Sequence, residues 1–170
     1  MNRGKAAIWV VLTVIWAIYF AVGIPDFMYE SGHWMSKAVS HHIFHANIFH
    51  LGINTASLFM LYRKTNRHVF VELPLAWLMA SLSYMAALRP AIGLSDILYA
   101  VCGLRFHGYF PNWRSDRKAW LFIATLSVFC LIPGASGTTH AASFISSAAV
   151  IHVYTMTKGI LDDYRKSINK

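Results

Sequence analysis

Long apolar stretches separated by short polar ones dominate the pattern of hydrophobic and polar positions along the chain. The stretches are continuous rather than periodic, which is typical of membrane-spanning helices. A span needs about 20 apolar residues. The pattern predicts six spans, near residues 6–24, 39–62, 69–88, 94–104, 119–132 and 139–160. We therefore predict an all-α fold, a polytopic bundle of six transmembrane helices in a single membrane domain over residues 1–170.

The first apolar stretch follows Arg3 and Lys5, as the core of a cleaved signal peptide would. It is longer than a usual signal core, and Val22-Gly23-Ile24-Pro25 makes a poor cleavage site. We expect this stretch to be retained as a span.

Lysine and arginine residues divide unevenly between the alternate connections of a six-span chain. One side holds thirteen of the fifteen: Arg3, Lys5, Arg63, Lys64, Arg67, Arg105, Arg114, Arg117, Lys118, Lys158, Arg165, Lys166 and Lys170. The other side holds Lys37 and Arg89. Because positive residues favour the cytoplasmic side, we predict a multi-pass protein of the cell (inner) membrane with both termini cytoplasmic. Omitting the short fourth stretch would break this alternation.

Composition agrees with this class. Hydrophobic residues make up 56% of the chain, charged residues 13%, and the mean hydropathy is +0.46, whereas soluble domains carry about 25% charged residues. The net charge of +8 lies in clusters between apolar stretches, and no nucleic-acid-binding motif is present. We therefore expect the lipid bilayer as a partner and no nucleic acid. Cys102 and Cys130 lie inside apolar stretches without C-x-x-C spacing, so we interpret them as small buried residues.

The second predicted span opens with four histidines, His41, His42, His45 and His50, followed by Asn54. Polar side chains at membrane depth are costly and usually functional. On one helix His41 shares a face with His45, and His50 with Asn54. His45 and His50 would lie about 140° apart, which leaves a zinc site open only if other spans contribute. The H-E-x-x-H zinc motif is absent, so we predict no metal and no cofactor. We interpret His41 and His42 as interfacial polar residues, and Asn54 as facing protein or a water-filled cavity.

Two further polar groups open the fourth and sixth predicted spans. Gly93-Leu94-Ser95-Asp96 places a serine near a helix N-terminus, beside backbone N–H groups that are free. Taken alone, Ser95 fits a helix N-cap, and Asp96 fits a carboxylate favoured at that end. His140, which opens the sixth span, is compatible with a proton relay, a ligand or a core residue.

These groups together resemble the rhomboid family of intramembrane serine proteases. The family pattern H-x-x-x-x-H-x-x-x-N on the second span matches His45, His50 and Asn54. The G-x-S-x start of the fourth span matches Gly93-Leu94-Ser95-Asp96, and the tyrosine and glycine that follow match Tyr99 and Gly103. The sixth-span histidine matches His140. The resemblance covers all six spans in order.

The resemblance implies a role for each matched residue. Ser95 would be the nucleophile and His140 its general base, with Tyr99 packed against the imidazole. His50, Asn54 and the backbone N–H of Ser95 would form the oxyanion hole, and His45 and Gly93 would support the site. Substrates would be transmembrane proteins, reached from the side opposite the cytoplasm. Residues 133–137 would cover the site, and the fifth span, with Trp120, Phe122 and Phe129, would be the lateral gate.

The chain departs from the family pattern at three places. Asp96 stands where glycine is common after the nucleophile, and Ser143 and Ser147 replace two glycines of the sixth span. A carboxylate at Asp96 would repel the developing oxyanion unless it points toward solvent or a basic partner such as Arg89. The segment of residues 25–38 is shorter than the membrane-embedded loop of the family, although it keeps residues suited to an interface: Phe27, Met28, Tyr29 and Trp34.

Two other functions compete with proteolysis. A non-catalytic rhomboid-like protein would bind membrane clients without cleaving them, but such relatives typically lack the serine or the histidine that this chain keeps. A small transporter or proton-conducting protein would use the histidine-rich second span, but no repeat between the two halves of the chain supports it. No role is assigned to His41, His42 or His152.

Overall fold

Seven α-helices and no strand make up the part of the chain that the computed structural model describes, which is residues 3–24, 34–62, 68–85, 92–131 and 137–168. Side chains are described for these residues except Trp34, Phe129, Cys130 and residues 163–168. The helices are α1 (Arg3–Val22), α2 (Trp34–Ser40), α3 (Ile48–Tyr62), α4 (Val69–Met85), α5 (Ser95–Tyr109), α6 (Arg117–Cys130) and α7 (Gly137–Ile168). The predicted all-α class is confirmed.

Two of the described helices are long and apolar enough to cross a membrane by length and composition. They are α1 and the Gly137–Asp162 part of α7, with mean hydropathies of 2.0 and 1.2 over their most apolar windows. α3 and α4 are also apolar but have only 15 and 17 residues. The arrangement of six spans therefore stays a prediction.

The second predicted span, residues 39–62, is not one helix. α2 ends at Ser40, residues 41–47 are non-helical, and α3 begins at Ile48. The side-chain oxygen of Asn47 accepts the backbone N–H of His50 at 2.8 Å, which is the bond of an N-cap residue that starts a helix. The prediction that His41 and His45 share a helix face is therefore wrong, whereas His50 and Asn54 both lie on α3.

α5 lies inside the bundle, packed against α3, α4 and α7. Its residues Ile97, Ala100 and Val101 are fully buried. A Cβ at Gly103 would overlap the carbonyl oxygen of Phe144 and come within 2.9 Å of Cβ of Ser147. Glycine at this position lets the backbones of α5 and α7 approach closely, as small residues do between membrane helices. This close approach brings the start of α5 next to the start of α7.

Arg105 connects α5 to α4 through an ion pair and to α3 through a hydrogen bond. Arg105 donates hydrogen bonds to Oε2 of Glu72 from Nε at 3.0 Å and from Nη2 at 2.5 Å. Its Nη1 donates to the carbonyl oxygen of Leu61, and the guanidinium lies 4.4 Å from the centre of the Tyr62 ring. The planar guanidinium has enough donors to bond to the carboxylate of Glu72 and the carbonyl of Leu61 at once. Arg105 therefore fixes the position of α5 relative to α3 and α4.

Large apolar side chains cover the outside of the bundle. Phe49 is 79% exposed, Phe20 69% and Leu121 68%, and α6 buries only Ala119 among its described side chains. The core lies between α1, α3, α4 and α5, with Leu12, Leu51 and Leu58 almost fully buried. Several predicted features lie outside the described residues: Phe27, Met28, Tyr29, Arg89 and residues 133–136 of the predicted cover.

Candidate active site

Ser95 and His140 meet where α5 and α7 begin. Oγ of Ser95 lies 2.8 Å from Nε2 of His140, and His140 is 7% exposed. Ser95 is the first residue of α5, and Leu94 occupies the cap position without a side-chain cap bond. The interpretation of Ser95 as an N-cap is therefore wrong, because its hydroxyl contacts the imidazole instead of a backbone N–H.

Tyr99 holds the imidazole of His140 from one side. The two rings are stacked, with their centres 4.5 Å apart and an angle of 4° between their planes. The Tyr99 hydroxyl donates a hydrogen bond to the carbonyl oxygen of Leu126 on α6, at 3.3 Å. The phenol ring is therefore held at both ends, by α5 and by α6, and limits rotation of the imidazole.

His50 and Asn54 lie against the backbone just before Ser95. Gly93 has φ +121°, and a Cβ there would lie 2.6 Å from Cε1 of His50 and 3.3 Å from Nδ2 of Asn54. Only glycine permits both this φ and this approach. Nδ2 of Asn54 is buried and has no hydrogen-bond partner among the described residues. An unpaired donor beside the free N–H groups of a helix start favours a negatively charged oxygen at this place.

His45 supports the start of α5 rather than sharing a helix with His50. Its Nδ1 lies 3.2 Å from the carbonyl oxygen of Ile43, so Nδ1 carries the hydrogen. Its Nε2 therefore accepts the backbone N–H of Leu94, at 3.3 Å. The His45 and His50 rings contact edge to face, with centres 5.3 Å apart. The non-helical segment 41–47 thus positions the residue that precedes Ser95.

Asp96 is fully buried and faces two histidines. Its Oδ2 lies 3.1 Å from Nε2 of His41, and its Oδ1 lies 3.3 Å from Nε2 of His140 without the alignment of a hydrogen bond. The alternative in which Asp96 points toward solvent is therefore wrong. Asp96 is also not the third member of a catalytic triad, because such a carboxylate bonds to the ring nitrogen opposite the serine. In this chain that nitrogen is Nδ1 of His140, which has no partner among the described residues.

Both His41 and His42 are fully buried, so their interpretation as interfacial polar residues is wrong. His41 stacks on Tyr84, with ring centres 4.1 Å apart, and Nε2 of His42 lies 3.2 Å from Oγ of Ser81. Sequence reasoning missed the contact between His41 and Asp96, because the two residues are 55 positions apart. The signal was the presence of three histidines at positions 41, 42 and 45, since buried imidazoles need hydrogen-bond partners.

The remaining predicted residues belong to the predicted lateral gate on α6 and to the small-residue positions on α7. Phe122 of the predicted gate packs against Phe106 and Phe144, and Trp120 is 51% exposed beside Trp113. The side chain of Phe129 lies outside the described ones. Ser143 and Ser147 are fully buried on α7, where their small size permits the approach of α5.

No protein-family model, curated protein or solved structure matches this chain. The chemistry of the site therefore follows from its geometry. A serine hydroxyl bonded to an imidazole, with unpaired donors on the other side, is the arrangement that nucleophilic acyl transfer requires.

Proposed function

We propose that this chain is a rhomboid-type intramembrane serine endopeptidase that cleaves transmembrane segments of other membrane proteins. The observation that carries the proposal is the 2.8 Å contact between Oγ of Ser95 and Nε2 of His140. A serine hydroxyl is a weak nucleophile until a base within hydrogen-bond reach removes its proton. The same contact argues against a non-catalytic client-binding protein, which has no need of an intact pair.

In the proposed reaction, Oγ of Ser95 attacks the carbonyl carbon of the scissile peptide while its proton moves to Nε2 of His140. The tetrahedral oxyanion accepts hydrogen bonds from Nδ2 of Asn54, the ring of His50 and the backbone N–H of Ser95. When the C–N bond breaks, His140 returns the proton to the leaving amine. Water, deprotonated by His140, then hydrolyses the acyl-enzyme and releases the new carboxyl terminus and Ser95.

The proposed pair works without a carboxylate behind the base. Stacking on Tyr99 takes over the orienting role, because it fixes the plane of the imidazole. Asp96, 3.3 Å from Nε2 of His140, lies close enough to stabilise the imidazolium that forms during the reaction. Its other oxygen, Oδ2, contacts Nε2 of His41 instead of the pair.

The proposal places α1 and α3 to α7 across the membrane and α2 at its edge. The exposed apolar side chains on the outside of the bundle support this placement, since a monomeric soluble protein rarely carries so large an apolar surface. α5 has only 15 residues, but its buried residues contact protein rather than lipid, so hydrocarbon thickness does not set its length. With both termini cytoplasmic, α3, α5 and α7 all begin on the opposite side, where His50, Ser95 and His140 lie.

Cleavage of a reporter transmembrane substrate by the purified protein in lipid vesicles tests the proposal. We expect the wild type to cleave, and Ser95→Ala and His140→Ala to fall to background while remaining folded. Ser127→Ala and His152→Ala are matched controls, because both side chains are exposed, the Ser127 hydroxyl bonds to Ile123 of its own helix, and His152 lies about three turns after His140 on α7. Both controls should cleave like the wild type. Undiminished cleavage by Ser95→Ala would remove the assignment.

A further inference from the structure

A second cluster of polar side chains lies behind the Ser95–His140 pair. It consists of His41, His42 and Asp96, all of which are fully buried. One potential ligand atom from each residue lies within 4.8 Å of the other two. The two histidines lie in the turn after α2 and the aspartate lies in the first turn of α5, so the cluster forms only when these elements pack together.

The hydrogen bonds of the two histidines leave one nitrogen of each available as a metal ligand. Nδ1 of His41 lies 2.9 Å from the carbonyl oxygen of Lys37. A carbonyl only accepts, so Nδ1 carries the hydrogen, and Nε2 of the neutral ring has a lone pair. Nε2 of His42 lies 3.2 Å from Oγ of Ser81, while Nδ1 of His42 is buried without a partner among the described residues. In most histidine ligands, the ring nitrogen that does not bind the metal is hydrogen-bonded to a carbonyl or another oxygen.

The spacing of the His41 and Asp96 atoms fits two ligands of a small divalent cation. Nε2 of His41 and Oδ2 of Asp96 are 3.1 Å apart, within hydrogen-bond distance, and both present lone pairs to a cation that displaces the proton between them. Two ligand atoms of a tetrahedral zinc site, each about 2.0–2.2 Å from the metal, lie roughly 3.3 Å from one another. Imidazole and carboxylate ligands suit Zn²⁺, and three protein ligands with one open position form a known type of zinc site.

We propose that His41, His42 and Asp96 bind one divalent transition-metal ion, with Zn²⁺ as the best fit. The ligands are Nε2 of His41, Nδ1 of His42 and the carboxylate of Asp96, and the buried oxygens of Lys37 and Ser81 orient the two rings. The sequence predicted no metal but left a zinc site open if other spans contribute ligands, and here Asp96 of α5 is such a ligand. The proposal concerns binding, so it stands or falls independently of proteolysis.

Calorimetric titration of the full-length chain tests this site. The protein is purified in detergent with a tag that lacks histidine, stripped with a chelator, and titrated with ZnCl₂. We expect one equivalent to bind, and binding to be lost in His42→Gln and in Asp96→Asn. Ser81→Ala, which removes the oxygen beside His42, should bind about 10–100-fold more weakly. His107→Gln is the matched control, because His107 stacks on His152 in a separate histidine pair with ring centres 4.7 Å apart.

Three results would overturn the site: no binding by the wild type, unchanged binding in His42→Gln and Asp96→Asn, or loss of binding in His107→Gln. The ligands are buried, so their substitution could prevent folding. In that case a measurement on the wild type tests the site instead. X-ray absorption of the zinc-loaded protein should show two imidazoles and oxygen around the metal. A sulfur ligand, or the absence of imidazole, would contradict the assignment.

Discussion

The ring of Tyr99 lies parallel to the imidazole of His140, with an angle of 4° between the planes and 4.5 Å between the ring centres. Tyr99 lies one turn after Ser95 on α5, so one helix carries both the proposed nucleophile and the surface that orients its base. The hydroxyl of Tyr99 bonds to Leu126, and this contact ties the same ring to α6.

Replacing Tyr99 by alanine should lower kcat with little effect on KM. An aromatic pair contributes about 0.5–1.5 kcal/mol beyond its buried area, which corresponds to roughly 2–12-fold in rate if all of it orients the base. Tyr99→Phe keeps the stacking and loses the hydroxyl that bonds to Leu126, so it should retain most of the activity. Equal losses in both variants would show that the hydroxyl, and not the stacking, is what matters.

Asn54→Ala should remove activity without weakening the fold. Nδ2 of Asn54 is buried without a described partner, so its loss breaks no hydrogen bond among the described residues. The loss of one oxyanion donor typically costs about 10²–10³ in kcat. Cleavage kinetics and thermal unfolding of the same preparation check the two halves of this prediction.

Thr55→Ala, on the same helix as Asn54, should lower stability without lowering activity. The hydroxyl of Thr55 accepts a hydrogen bond from Nε1 of Trp16 at 3.0 Å and tethers α1 to α3. We expect about 0.5–1.5 kcal/mol of destabilisation with kcat unchanged. A drop in stability for Asn54→Ala as large as that for Thr55→Ala would assign Asn54 a structural role.

Gly93→Ala should destabilise the protein and displace His50. The new Cβ would lie 2.6 Å from Cε1 of His50, and the φ of +121° is unfavourable for any L side chain. Backbone strain of this kind costs about 1–3 kcal/mol before any overlap is counted. Gly52→Ala on α3 is the control, because nothing lies within 4 Å of its Cβ position. A lower unfolding temperature for Gly93→Ala, with Gly52→Ala equal to or above the wild type, is the expected result in thermal unfolding.

Gly103→Ala should separate α5 from α7 and weaken the Ser95–His140 contact. The added Cβ would overlap the backbone of Phe144, which cannot move away as a flexible side chain would. Gly108→Ala lies on the same helix with nothing within 4 Å, so it should leave both stability and cleavage intact. If Gly103→Ala cleaves as fast as Gly108→Ala, the approach of the two helices does not set the geometry of the pair.

The all-α class and the approximate places of α1 and α4 to α7 follow from the apolar pattern, because blocks of apolar residues are a strong signal. The break between α2 and α3 does not follow from it. Residues 39–62 are apolar enough to suggest one helix, whereas the structure starts a new helix where the His50 N–H donates a cap bond to Asn47.

Only part of the arrangement of the site residues could be predicted from the sequence. The four-residue step from Ser95 to Tyr99 places both on one face of α5 and can be taken from the sequence. The burial of Asp96 between His41 and His140 cannot, because it depends on how three separate segments pack. For the same reason the interpretation of His41 and His42 as interfacial residues was wrong.

Labelling with a fluorophosphonate probe, followed by peptide mapping, tests the central claim most directly. The claim is that His140 makes Ser95 a reactive nucleophile, so the label should map to Ser95 in the wild type. Labelling should disappear in Ser95→Ala and also in His140→Ala, where the serine is still present but its base is gone. Labelling of Ser95 that persists in His140→Ala, or a label that maps to another serine, would contradict the claim.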